Sequence, residues 1–203
     1  MNRRALLLLA ILSPLLTACG RSTPQTERLA TDAVILAFGD SLTFGTGAQA
    51  HESYPATLEK LIGRKVDNRG VPGEVTATGL ARLPGILDEV QPRLLILCHG
   101  GNDLLRKLDE SQAAENLRAM IRMAKARGIA VALVGVPKPG FFPTPPDFYE
   151  KLAGEFNLPY EGKALSSILS DNALRSDLVH PNAMGYARFA EALATLLKAS
   201  GAY

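Results

Sequence analysis

The chain has 203 residues, 47% of them hydrophobic and 21% charged, with a formal net charge of +2. That is enough for one domain around one sizeable core and short for two. No basic stripe, run of like charge or aromatic ladder suggests a nucleic-acid surface, and two cysteines exclude a disulfide framework.

Asn2-Arg3-Arg4 is a basic start, Ala5 to Leu16 an apolar run too short to span a bilayer as a mature helix, and Thr17-Ala18-Cys19 supplies the small residues of a cleavage site. Residues 1–19 are therefore expected to be an export signal. Without Arg3 and Arg4 the 22 Lys and Arg become 20, against 20 Asp and Glu, so the remainder is formally neutral. Leu16-Thr17-Ala18-Cys19 resembles the lipobox of bacterial lipoproteins, which implies acylation of Cys19, an N-terminal lipid anchor and a place on the periplasmic side of a bacterial membrane. Gly20 lacks the acidic residue that resembles an inner-membrane retention signal, which points to the outer membrane. Residues 20–31 are polar and aperiodic and read as a flexible tether, with the folded domain expected over 32–203.

Val34 to Phe38 is a short apolar run stopped by Gly39, as expected of a buried central strand. Pro55 to Ile62 has a short helical pattern with Ser53 as cap, Pro55 in the first turn and Gly63 as stop. Val66 to Arg69 reads as a strand, and Gly70-Val71-Pro72-Gly73 as a loop. A helix is predicted from Val75, with Leu80, Leu83, Ile86, Leu87 and Val90 on one face and Pro84 as an internal break or restart. Leu94 to Cys98 repeats the strand-then-glycine pattern, and Cys98 reads as a small buried hydrophobe. Ser111 to Arg127 is a helix and Ile129 to Val136 a third strand. Pro137 to Pro146 holds five prolines and Phe141-Phe142, so it is an irregular loop, either a lid or substrate wall or a rigid surface loop whose aromatics pack back onto the core. Phe148 to Phe156 is helix-like, Leu158 to Tyr160 a short edge strand, Ala164 to Leu174 ambiguous, and Asn182 to Lys198 the closing helix. Strands alternating with helices imply βαβ units. The expected fold is a three-layer α/β/α sandwich of flavodoxin-like kind with a five-stranded parallel sheet.

Ligands of such sheets bind outside the carboxyl ends of the strands, where the polar loops Asp40-Ser41, Asn102-Asp103 and Asp177 to His180 fall. Serine, histidine and carboxylate are the parts for acyl transfer: Ser41 as nucleophile, His180 as its base, and Asp177, three residues earlier, orienting the imidazole. Asp40 is a supporting residue beside the nucleophile. Pro181 keeps His180 out of helical geometry. An oxyanion hole needs donors, which the Ser41 N–H, the side-chain amide of Asn102 and the N–H of Gly73 offer.

Phe38-Gly39-Asp40-Ser41-Leu42, Asn68 to Gly73, Gly100-Gly101-Asn102-Asp103 and Asp177 to Pro181 resemble, in order and spacing, the four sequence blocks of the SGNH, or GDSL-type, hydrolases. Gly79 to Pro84 and the helix and strand that follow resemble especially the bacterial periplasmic acyl-thioesterase, lysophospholipase and arylesterase branch. The resemblance implies an exported serine hydrolase of esters or thioesters acting through an acyl-enzyme on Ser41. It assigns Gly73 and Asn102 to the oxyanion hole and Asp177 and His180 to the triad, with no metal or cofactor. Substrate would be a small-molecule or lipid acyl ester. The chain departs from that branch at Cys98-His99; His99 is either a second titrating group beside the site or a structural histidine.

The rival within hydrolases is a carbohydrate O-acetyl esterase of cell-wall or surface polysaccharide, and outside them a catalytically inert ligand-binding lipoprotein. A metallophosphoesterase is poorly served by three histidines with no paired ligand motif, and no phosphate-binding glycine loop follows any strand.

Overall fold

The computed structural model describes residues 23–140 and 142–203. The expected export signal, Cys19 and Phe141 lie outside the described residues. Five strands form one parallel sheet in the order β2-β1-β3-β4-β5, with β1 at Ile35–Gly39, β2 at Val66–Gly70, β3 at Leu94–Cys98, β4 at Ala130–Val134 and β5 at Tyr160–Glu161. β1 and β3 are in register from Ile35 opposite Leu94 to Gly39 opposite Cys98, and every residue of both is buried. Strands covered on both faces need apolar residues throughout, which explains runs rather than alternation.

The helices are α1 (Ser41–Phe44), α2 (Tyr54–Ile62), α3 (Thr76–Val90), α4 (Gly101–Leu105), α5 (Glu110–Ala126), α6 (Asp147–Phe156), α7 (Ala164–Ser170) and α8 (Ala183–Ala199). They pack in two groups, α2 with α8 and α7, and α3 with α5 and α6, as right-handed crossovers to opposite sides of β1 require. This is the expected three-layer α/β/α sandwich. The chain reverses its direction of travel across the sheet between β1 and β3, which opens a crevice at their carboxyl ends.

Several elements differ in detail from the sequence reading. Pro84 does not interrupt α3, which runs unbroken through it; one missing N–H is offset by burial of Leu83 and Leu87. Residues expected to be loops after β1 and β3 form the one-turn helices α1 and α4, too short to carry an apolar period. Ser53 stands at the N-cap of α2 but makes no side-chain cap bond, its hydroxyl donating instead to the Ala50 carbonyl at 2.8 Å. Part of the segment expected as a tether is pinned to the domain. The Thr26 N–H donates to Ser200 O and the Leu29 N–H to Ala202 O, both at 2.8 Å, and Leu29 is buried. Among the described residues no helix is long and apolar enough to cross a membrane.

Candidate active site

Ser41 is placed by the turn that ends β1. Asp40 caps α1 by accepting the Leu42 N–H at 3.1 Å, and its second oxygen accepts the Gly101 N–H at 3.2 Å from the start of α4. One buried carboxylate thus ties the loop after β1 to the loop after β3. Burial pushes the Asp40 carboxyl above its ordinary value, while nearby His99 and the Leu42 and Gly101 bonds pull it back.

The loop before α8 delivers the imidazole. Asp177 accepts the backbone N–H groups of Val179 and His180 through one oxygen, each at 2.8 Å, and its other oxygen lies 2.8 Å from His180 Nδ1. His180 Nε2 faces Ser41 Oγ at 3.0 Å. A carboxylate at Nδ1 fixes the proton there and leaves Nε2 as acceptor toward the serine hydroxyl. Burial would raise the Asp177 carboxyl, but the hydrogen bond from His180 and the two backbone bonds outweigh it and hold it below the usual carboxylate range. Ser176 braces the turn, its N–H donating to His180 O at 2.9 Å, and Asn182 caps α8 by accepting the Gly185 N–H at 3.0 Å.

Asn102 and Ser41 line the cleft that His180 closes. The Asn102 amide donates one hydrogen to Glu74 O at 3.0 Å, and its second N–H remains for a ligand. Gly73 does not line the cleft, but it directly precedes the Glu74 carbonyl that Asn102 engages. It has φ of +79°, the left-handed region that glycine tolerates, and its carbonyl accepts from Arg106 Nη2 at 2.8 Å. The N–H groups of Ser41 and Gly73 have no acceptor among the described residues.

The model of the GDSL-like lipase/acylhydrolase family matches residues 37–188, a span holding every residue of this constellation. The chain belongs to that family. Among its relatives, the esterase TesA of Pseudomonas aeruginosa is 34% identical over 62% of this chain and 64% of its own length. The thioesterase 1/protease 1/lysophospholipase L1 of Escherichia coli K12 is 32% identical over 77% and 79%. The aligned stretch thus spans just under two thirds of the first relative and more of the second. Among solved structures, a crystal structure of TesA superposes with a TM-score of 0.72 at 28% identity, covering 81% of this chain and 98% of that one. AlinE4, an SGNH-hydrolase family esterase, superposes with a TM-score of 0.65 at 32% identity, covering 84% and 97%.

Within this GDSL-like fold two open alternatives resolve. His99 is fully buried and faces Glu74, not the cleft, so it does not contact substrate. Its Nδ1 accepts the Gly100 N–H at 2.9 Å, which leaves the proton on Nε2, 3.1 Å from Glu74 Oε2. Of the described residues between Pro137 and Pro146, Pro137, Lys138, Pro139 and Pro143 wall the cleft, and Phe142 is 90% exposed rather than packed on the core. Asp103 is not a site residue. Its carboxylate caps α3 by accepting the Thr76 N–H at 2.9 Å and hydroxyl at 2.7 Å. Among the described residues no group of three His, Cys, Asp or Glu side chains converges to hold a metal ion.

Sequence reasoning missed Glu74 and Arg82. Arg82 Nε and Nη2 each lie 2.8 Å from the Glu74 carboxylate, and its guanidinium stacks 4.1 Å above the Phe38 ring. Spacing along the chain carries no signal for this pair; a charged residue after a glycine reads as surface.

Proposed function

We propose that the chain is a serine hydrolase that cleaves carboxylic esters or thioesters through an acyl-enzyme on Ser41, with His180 as general base and acid and Asp177 as its orienting carboxylate. The observation that carries the reading is the unbroken relay from Asp177 Oδ2 to His180 at 2.8 Å and from His180 to Ser41 Oγ at 3.0 Å. Ser41 Oγ attacks the acyl carbon as His180 Nε2 takes its proton. The negative charge moves to the carbonyl oxygen, where the N–H groups of Ser41 and Gly73 and the free N–H of Asn102 are its donors. Each such donor contributes on the order of 3 kcal/mol to the transition state. Collapse expels the alcohol or thiol, which receives the proton from His180. Water then attacks the acyl-enzyme and gives its proton to His180; the bond from the acyl carbon to Ser41 Oγ breaks, Oγ takes that proton back from His180, and the carboxylic acid leaves.

The cleft wall of Leu105, Val136, Leu169 and Leu178 favours an apolar acyl or aryl group over an acetylated sugar. The relatives' names, esterase, thioesterase and lysophospholipase, support the same substrate range. The N-terminal sequence supports export and a lipid anchor at Cys19, on the periplasmic side of a bacterial membrane. The test is labelling by a fluorophosphonate with peptide mapping, beside a Ser41→Ala variant. Modification at Ser41 that vanishes in the variant supports the reading; a folded protein that resists labelling overturns it and favours a ligand-binding role.

A further inference from the structure

Behind the proposed oxyanion hole lies a buried polar cluster that the chemistry above does not use. Glu74 follows Gly73, and its backbone carbonyl is the acceptor that orients the Asn102 amide. Its side chain, 3% exposed, is gripped from two sides, by His99 Nε2 at 3.1 Å and by Arg82 at 2.8 Å. Arg82 also donates to the Arg69 carbonyl at 2.8 Å. The backbone of His99 is held in turn by Tyr149, whose hydroxyl donates to His99 O at 2.7 Å. Burial would raise the Glu74 carboxyl, yet the hydrogen bonds from His99 and Arg82 and the charge of Arg82 outweigh it and hold it at about 2.

Charged clusters taken out of water are a weak source of stability, because desolvation offsets most of the attraction and apolar residues of equal volume serve as well. This one sits one peptide bond from Gly73 and one hydrogen bond from Asn102. We propose that Glu74 is a positioning residue of the oxyanion hole: His99 and Arg82 clamp its carboxylate so that its main chain fixes the Gly73 N–H and the Asn102 amide before the substrate arrives. Preorganised donors stabilise developing charge without reorganising during the reaction, so loosening the clamp weakens transition-state binding more than substrate binding.

This inference rests on the hydrolase reading, and its test separates the two. Turnover of a p-nitrophenyl ester and inhibition by a trifluoromethyl ketone, whose serine adduct carries an oxyanion, are measured for wild type, Glu74→Gln, Asn102→Ala and the double variant. Glu74→Gln keeps volume but sets an amide N–H against donors. It is expected to lower kcat by about 10- to 100-fold with KM within about two-fold, and to weaken the ketone by a matching factor. In the Asn102→Ala background the same change should cost clearly less, since the part of the Glu74 effect that runs through the Asn102 amide is already lost. The pair His99→Leu and His99→Gln carries the test if Glu74→Gln fails to fold: Leu should reproduce the loss, and Gln, which restores a donor toward Glu74, should recover most of it. A folded Glu74→Gln with wild-type kcat, losses that add in the double variant, or an unchanged ketone affinity would overturn the inference alone. A wild type inert toward esters, thioesters and fluorophosphonate would remove the hydrolase reading and this inference with it.

Discussion

Replacing Asp177 by Asn and by Ala should order the two variants in a way that exposes what the carboxylate does. In the folded chain one Asp177 oxygen is committed to the N–H groups of Val179 and His180 and the other to His180 Nδ1. An asparagine keeps its carbonyl on the two backbone donors, which turns its NH2 toward Nδ1. The imidazole must then carry its proton on Nε2 and donate to Ser41 Oγ instead of accepting from it. Alanine instead admits water at Nδ1, and the ring is free to take the productive tautomer. In a buried triad the wrong tautomer costs about 10⁴ in kcat. Here the Asp177 side chain is 54% exposed, and water competition reduces the expected loss for Asp177→Asn to about 10²–10³, or roughly 3–4 kcal/mol. Asp177→Ala should lose about ten-fold less than Asp177→Asn. The assay is kcat/KM on a short p-nitrophenyl ester at neutral pH, with thermal unfolding to confirm the fold. An asparagine variant within five-fold of wild type, or one faster than alanine, would refute the tautomer argument.

Asn102→Ala should lower kcat by about 10²-fold with little change in KM, read in the same assay, because a lost oxyanion donor is felt only as charge develops. Within α3 two glycines should respond oppositely to alanine. At Gly79 the added Cβ would lie 2.3 Å from His99 Nε2, so overpacking of about 1–3 kcal/mol overrides the helix-propensity gain. At Gly85 nothing lies within 4 Å, and the gain of up to about 1 kcal/mol should appear as a higher denaturation midpoint. Glu74 is held at about 2 against an ordinary 4.5; its stabilising contribution is complete above the higher value and is lost as pH falls toward the lower. Glu74→Gln should therefore flatten the acid side of the stability profile measured by urea unfolding. A chain beginning at Asp32 should be about 3 kcal/mol less stable than one beginning at Arg21, since it forfeits the burial of Leu29 and two backbone hydrogen bonds.

Much of this protein is local information. β1 and β3 are readable because strands covered on both faces must be apolar throughout, and glycines mark their ends. The Asp177 to His180 pairing spans three residues, so one turn of chain brings the carboxylate to the imidazole with no help from the rest of the fold. Gly73 and Asn102 could be proposed as donors because each follows a strand end, where a parallel sheet opens its crevice; of the two, Asn102 lines the cleft.

Other features exist only once distant segments meet. Glu74 and His99 lie 25 residues apart, and nothing at either position marks it as buried; only the packing of α3 against the end of β3 turns three polar side chains into a clamp. The continuity of α3 through Pro84 was decided by the burial of its neighbours, which outweighs a local breaker. The polar stretch around Thr26 and Leu29 lost its expected freedom because the end of α8 offered carbonyls at Ser200 and Ala202. The sequence by itself determined the central strands, the turns after them that carry Ser41 and Asn102, and the Asp177 to His180 turn, since these depend on near neighbours. The tertiary structure decided that Ser41 and His180, 139 residues apart, share a hydrogen bond, and which charged residues were buried behind them, because both are set by long-range packing.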